Sequence, residues 1–132
     1  MIHLSTHTIK LKSSHKELFE FLSETSNMAG ILSFKKIKHL KINGDTITFI
    51  LKWAARFNFS ITSITNKYVL IESTENVEFS TAIRFDIEEK ENGSSVVIHV
   101  ETDTSPIIDI TFEARVKTWI TAIVQNLETK FN

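Results

Sequence analysis

The side chains able to do chemistry in this 132-residue chain are five histidines and a dense set of aromatics, ten Phe and two Trp against one Tyr. Metal binding is the first chemistry to weigh. His3 and His7 lie four positions apart, which on a helix would make a ligand pair. On a strand that spacing puts them roughly 13 Å apart, too far for one ion. His15 falls in a first helical turn, His39 in a basic strand and His99 on an outer sheet face. No HExxH and no His–carboxylate cluster at ligand spacing occurs, so no metal and no cofactor is expected. The chain also lacks cysteine, which removes disulfides, thiol catalysis and Cys-ligated metals. No Ser–His–Asp order, paired catalytic carboxylates, Gly-rich phosphate loop or nucleotide fingerprint is legible.

His7 has a second reading. If Ile9 and Leu11 face inward on one strand, parity places Ser5 and His7 inward as well. They would then be polar groups at one end of a cavity, able to orient a ligand or move a proton. The alternative is that parity breaks near the terminus and leaves His7 in water.

The aromatics make the stronger candidate site. Phe49, Leu51, Trp53, Phe57, Phe59 and Phe85 alternate with polar neighbours and share the inner face of a sheet. Val116, Trp119, Ile120 and Ile123 would meet them from a C-terminal helix. Apolar walls with a few oriented polar groups describe a ligand pocket. The same residues interdigitated would describe a filled core. A buried indole N–H requires an acceptor, so Trp53 and Trp119 are the informative pair.

The elements that must position these groups follow from periodicity. Ile2 to Lys12 reads as a strand. Ser14 and Glu17 have capping-box spacing and open a helix carrying Leu18, Phe21 and Leu22 on one face. Thr25-Ser26-Asn27 interrupts it, a shorter helix through Met28 to Leu32 follows, and Gly30 marks the close of a helical stretch. From Phe34 to Asp103 six strands succeed one another, with Asn43-Gly44 and Asn92-Gly93 as hairpin turns. Ser105-Pro106 opens a helix to Phe131, roughly 39 Å long at 1.5 Å per residue. Its apolar stripe is Phe112, Val116, Trp119, Ile120, Ile123, Leu127 and Phe131.

This order, with Thr8-Ile9-Lys10-Leu11-Lys12 before Lys16-Glu17-Leu18-Phe19-Glu20-Phe21-Leu22-Ser23 and the long helix after Ser105-Pro106, resembles the SRPBCC superfamily. That group includes START domains, pollen-allergen-like proteins and polyketide cyclases. The resemblance spans the whole chain and implies an α+β helix-grip fold. In it a seven-stranded curved antiparallel sheet wraps a long C-terminal helix, with two short helices between strands 1 and 2. It also implies a cavity between sheet and helix for a hydrophobic small molecule such as a lipid or polyketide-like ligand. The alternatives are a cyclase or dehydratase acting on such a ligand, or a protein-interaction module with a filled core.

Composition agrees with one globular domain over residues 1–132, at 42% apolar and 23% charged residues. No apolar run reaches the roughly 20 residues of a membrane span, and Met1 to Leu11 lacks a signal-peptide layout, so a cytoplasmic address is expected. A net charge of −1 gives no sign of a nucleic-acid binder. The charge is unevenly placed: residues 1–67 carry ten Lys/Arg against four acids, and residues 68–132 five against twelve. Lys35, Lys36, Lys38, His39 and Lys41 form the densest basic stretch. It reads either as a patch for anionic headgroups or an acidic partner, or as a strand edge guarded by lysines.

Overall fold

The structure is a computed structural model and describes residues 2–52, 55–73, 79–103 and 106–132. The side chains of residue 55 and residues 106–110 fall outside that description, as do Trp53 and the expected helix cap Ser105. The strands are β1 (Ile2–Ser5), β2 (Ile9–Leu11), β3 (Ile37–Asn43), β4 (Thr46–Leu51), β5 (Ala55–Ile64), β6 (Tyr68–Ser73), β7 (Thr81–Lys90) and β8 (Gly93–Thr102). The helices are α1 (His15–Leu22), α2 (Thr25–Leu32) and α3 (Pro106–Phe131). All pairings are antiparallel, in the order β1-β8-β7-β6-β5-β4-β3, with β2 also on β8. Seven positions thus cross the sheet, the outermost shared by β1 and β2, and the expected α+β helix-grip arrangement is what forms.

The first strand is split, and the split decides where its side chains point. Ser5 pairs with His99 and Ile9 with Val96, so three residues of the early segment span two of β8. The extra residue is absorbed at Thr6. Its N–H donates to the Ile98 carbonyl and its hydroxyl accepts from the Ile98 N–H, each at 3.0 Å. A one-residue insertion reverses strand parity. Ile2 therefore faces the core from β1, and Ile9 and Leu11 face it from β2. Ser5 and His7 are exposed, which corrects the inward placement that an unbroken parity predicts.

Ser14 caps α1 by accepting from the Glu17 N–H at 3.1 Å, and Leu18 and Leu22 are buried beneath the helix. Thr25-Ser26-Asn27 begins α2 rather than separating the helices, and α2 runs through Gly30 to Leu32. Its apolar residues Met28, Ala29, Ile31 and Leu32 are buried against the domain. The α3 stripe is as the periodicity predicts, with Phe112, Val116, Trp119, Ile120, Ile123 and Leu127 all buried. No helix among the described residues is long and apolar enough to cross a membrane.

Side chains of α3 also satisfy the backbone at the end of α2. A helix leaves its last four carbonyls without intrahelical donors. Trp119 donates its indole N–H to the Leu32 carbonyl at 2.8 Å. Asn126, two turns further along α3, donates to the carbonyls of Ile31 and Ser33 at 2.9 and 2.8 Å. At the chain end, Asn132 accepts from the Lys12 N–H at 2.9 Å and donates to the Lys10 carbonyl at 3.2 Å. The long helix is thereby held along its length against α2 and β2.

Candidate functional site

The aromatic residues do come together, and they fill the space they share. Phe49 faces Phe57 across β4 and β5, and Phe59 lies two residues on along the same face. Phe57 and Phe59 stack with centroids 5.5 Å apart, and Trp119 reaches all three rings at 5.6 to 6.1 Å. These are contact distances for aromatic pairs. Phe49, Phe57, Phe59, Phe85 and Trp119 are each fully buried, and Val116, Ile120 and Ile123 are buried beside them. Their packing is that of a core. The Trp119 indole N–H is committed to the Leu32 carbonyl, which is the acceptor its burial requires, and is not offered to a ligand. Trp53 lies outside the described residues.

A cleft opens beside this core, between α3 and the β3–β4 hairpin, with a volume of about 280 Å³. Leu51 at the end of β4 and Phe34 ahead of β3 supply apolar wall. Thr111, Ala114, Arg115 and Thr118 line the helix side. Their spacing of three, four and seven places them on one face of α3. Three of the four are small, which keeps the helix surface open where larger side chains would close on β4. Thr118 donates its hydroxyl to the Ala114 carbonyl at 3.1 Å, so that group is satisfied within the helix. Lys36 and Lys52 join Arg115 around the cleft, and the Lys52 N–H donates to the Lys36 carbonyl at 2.9 Å, fixing the two sides of the hairpin. Such a site can hold an apolar chain or ring by burial and a carboxylate or phosphate by charge-assisted hydrogen bonds. Of the described residues predicted to line a pocket, Leu51 alone is among those lining this cleft.

A second arrangement lies on the opposite, outer face of the sheet. The Ser5 hydroxyl is 2.7 Å from His99 Nδ1, and His99 Nε2 is 3.0 Å from Asp86 Oδ2. Arg84 holds the same carboxylate in a two-pronged contact at 2.7 and 3.2 Å, with its guanidinium 5.8 Å from the Tyr68 ring centre. With a proton on Nε2, His99 donates to Asp86 and accepts from Ser5. Grooves of about 320 and 740 Å³ adjoin these residues. Sequence reasoning finds no Ser–His–Asp order because positions 5, 86 and 99 share no local motif. Strand register assembles them: Ser5 pairs with His99, and Arg84 pairs with His99 from the other side. Asp86 and His99 are about one-third exposed, as expected of a polar network on a solvated sheet.

No protein-family model matches the chain, and no curated protein matches it. Solved structures do. The KanY protein, determined in solution, superposes with a TM-score of 0.78 at 12% identity, covering 98% of each chain. A START superfamily protein from Mycobacterium smegmatis superposes at 0.73 and 12% identity, over 98% of this chain and 96% of that one. The fold is the START-like helix-grip fold. The Aha1 dimer from Colwellia psychrerythraea extends the likeness at 20% identity and a TM-score of 0.59, over 97% of each chain. Helix-grip structures thus match this one along nearly its whole length, while identities this low carry architecture and not activity.

Proposed function

We propose that the chain binds a hydrophobic small molecule bearing an acidic group, in the cleft between α3 and the β3–β4 hairpin. The observation that carries this reading is the juxtaposition of apolar wall from Phe34 and Leu51 with the cations Lys36, Lys52 and Arg115. The START-like fold supports it, since that fold is widely used to hold apolar ligands between sheet and helix. A cleft of about 280 Å³ sits just below the usual range for small-molecule sites, so a single chain or small ring system is the fitting size. Burial of apolar ligand surface, worth roughly 25 cal/mol per Å², drives association, and the cations select an anionic head.

The test is displacement of a fluorescent fatty acid. Ala114→Trp fills the cleft from an exposed helix position and should abolish binding while leaving thermal unfolding of the free protein unchanged. Arg115→Gln should weaken a fatty acid about fivefold and leave the matching fatty alcohol unaffected. Undiminished fatty-acid binding in a folded Ala114→Trp protein rules out this cleft. The close-packed aromatic core favours one competing reading, an interaction module with no internal ligand, and absence of any fatty-acid binding would select it. The cyclase-type alternative requires a proton-transfer group such as His7 inside a cavity, and His7 is exposed.

A further inference from the structure

We propose that the β3 edge is a docking surface for anionic membranes, an interaction that goes beyond ligand binding in the cleft and does not require it. β3 is the open end of the sheet, and every residue of it after Ile37 is exposed. Leu40, Ile42 and Ile50 are 36%, 46% and 40% exposed, which makes this hairpin the main concentration of uncovered aliphatic side chains among the described residues. Cations surround them. Ile50 pairs with Lys38 on one side and Arg56 on the other, and Lys41 occupies the next row opposite Thr48, all on the outer side of the sheet. Ile42 instead pairs with the buried Ile47 and lies at the rim of the inner side, so the edge carries exposed aliphatics on both of its sides. Lys35 and Lys36 lead into the strand. Among the described residues, none of Lys35, Lys36, Lys38, Lys41 and Arg56 has a carboxylate partner.

The geometry of the edge selects the kind of partner. Between Lys38 and Lys41 the register slips by one residue, and His39 sits at φ 56°. A bulge of this kind breaks the row of free backbone groups that an added strand would need. The edge is therefore read through its side chains. Guarding an edge against pairing calls for lysines, but it does not call for three exposed aliphatics beside them. An acidic protein surface would satisfy the lysines and leave those aliphatics in water. Anionic headgroups over a hydrocarbon layer, met edge-on, satisfy both sets, with the long lysine side chains reaching back to headgroup level and the aliphatics of both sides of the edge below it. The acids Glu88, Glu89 and Glu91 lie at the β7–β8 turn, four strands away in sheet order, and turn that side from a negative surface.

The experiment is co-sedimentation of the full chain with vesicles of phosphatidylcholine alone and of phosphatidylcholine with phosphatidylserine. Binding should require phosphatidylserine and fall as salt rises. Each cation near such a surface contributes about fivefold to partitioning, so Lys38→Gln with Lys41→Gln should weaken it about 25-fold. Ile50→Ser should weaken it further at constant charge. Because the chain has no cysteine, Ile42→Cys gives a single site for an environment-sensitive dye, whose emission should shift blue on phosphatidylserine vesicles. Ala114→Trp should leave vesicle binding intact, so failure of the cleft and failure of the edge are distinguishable. No sedimentation with phosphatidylserine at low salt overturns the proposal in favour of an acidic protein partner, and unchanged binding in the double lysine variant overturns it as well.

Discussion

Trp119 shows how a single side chain can be spent on structure. Its ring completes the aromatic layer over Phe49, Phe57 and Phe59, and its N–H satisfies the last residue of α2. Trp119→Phe keeps most of the ring and removes the donor, leaving the Leu32 carbonyl buried without it. The expected loss is about 1–3 kcal/mol of stability. Trp119→Ala also removes the packed volume and should lose about 3–5 kcal/mol. Urea denaturation of both variants checks the order, and equal losses would mean that the hydrogen bond contributes nothing. Gly30 provides the opposite case. It lies inside α2, and a Cβ there would meet no atom within 4 Å. Gly30→Ala should therefore stabilise the protein by roughly 0.5–1 kcal/mol through helix propensity alone, read as a raised midpoint in the same denaturation.

At the scale of elements, two junctions set the register of the sheet. Gly93 opens β8 at φ 147°, and a Cβ at that position would overlap the carbonyl oxygen of Leu11 in β2. Gly93→Ala forces the two strands apart and should destabilise by more than about 1 kcal/mol, whereas the same change at Gly30 stabilises. A thermal melt of the two variants side by side tests that opposition of sign. Thr6 is the other junction, and it marks the limit of what sequence could reveal. Alternation exposes the strands from β4 to β8, and the α3 stripe from Phe112 to Leu127 is equally plain, because each depends only on neighbours within its own element. The parity reversal at Thr6 depends on β8, nearly a hundred residues away, so alternation within the first strand leaves the face of Ser5 and His7 open. Whether Phe49, Phe57 and Phe59 surround a space or close on one another depends likewise on Trp119 from another element. The cleft leaves no trace in the sequence pattern for the same reason. Its helix side is small and polar, and Thr111, Ala114 and Thr118 carry no periodic apolar signal.

At the scale of the whole molecule, topology converts a gradient along the chain into one across the surface. From β3 to β8 the order of strands in the sheet is their order in sequence. Residues 35–67, from the approach to β3 through β5, carry seven Lys/Arg against one acid, and this excess is therefore gathered toward the β3 end. Residues 68–103, the stretch from β6 to β8, carry nine acids against two Lys/Arg, which sets the opposite excess toward the other end of the sheet. A net charge of −1 conceals this separation, since patches farther apart than the Debye length of about 8 Å at physiological salt act independently. The protein should consequently bind both cation and anion exchangers near neutral pH at low salt. Lys38→Gln with Lys41→Gln should abolish retention on the cation exchanger and strengthen it on the anion exchanger. Flow-through of the unmodified protein on the cation exchanger would show that the basic edge does not act as one patch. Retention there, lost in the double variant, would locate the attractive field on the same edge that exposes Leu40, Ile42 and Ile50, so that long-range steering and short-range apolar contact act at one edge of the sheet.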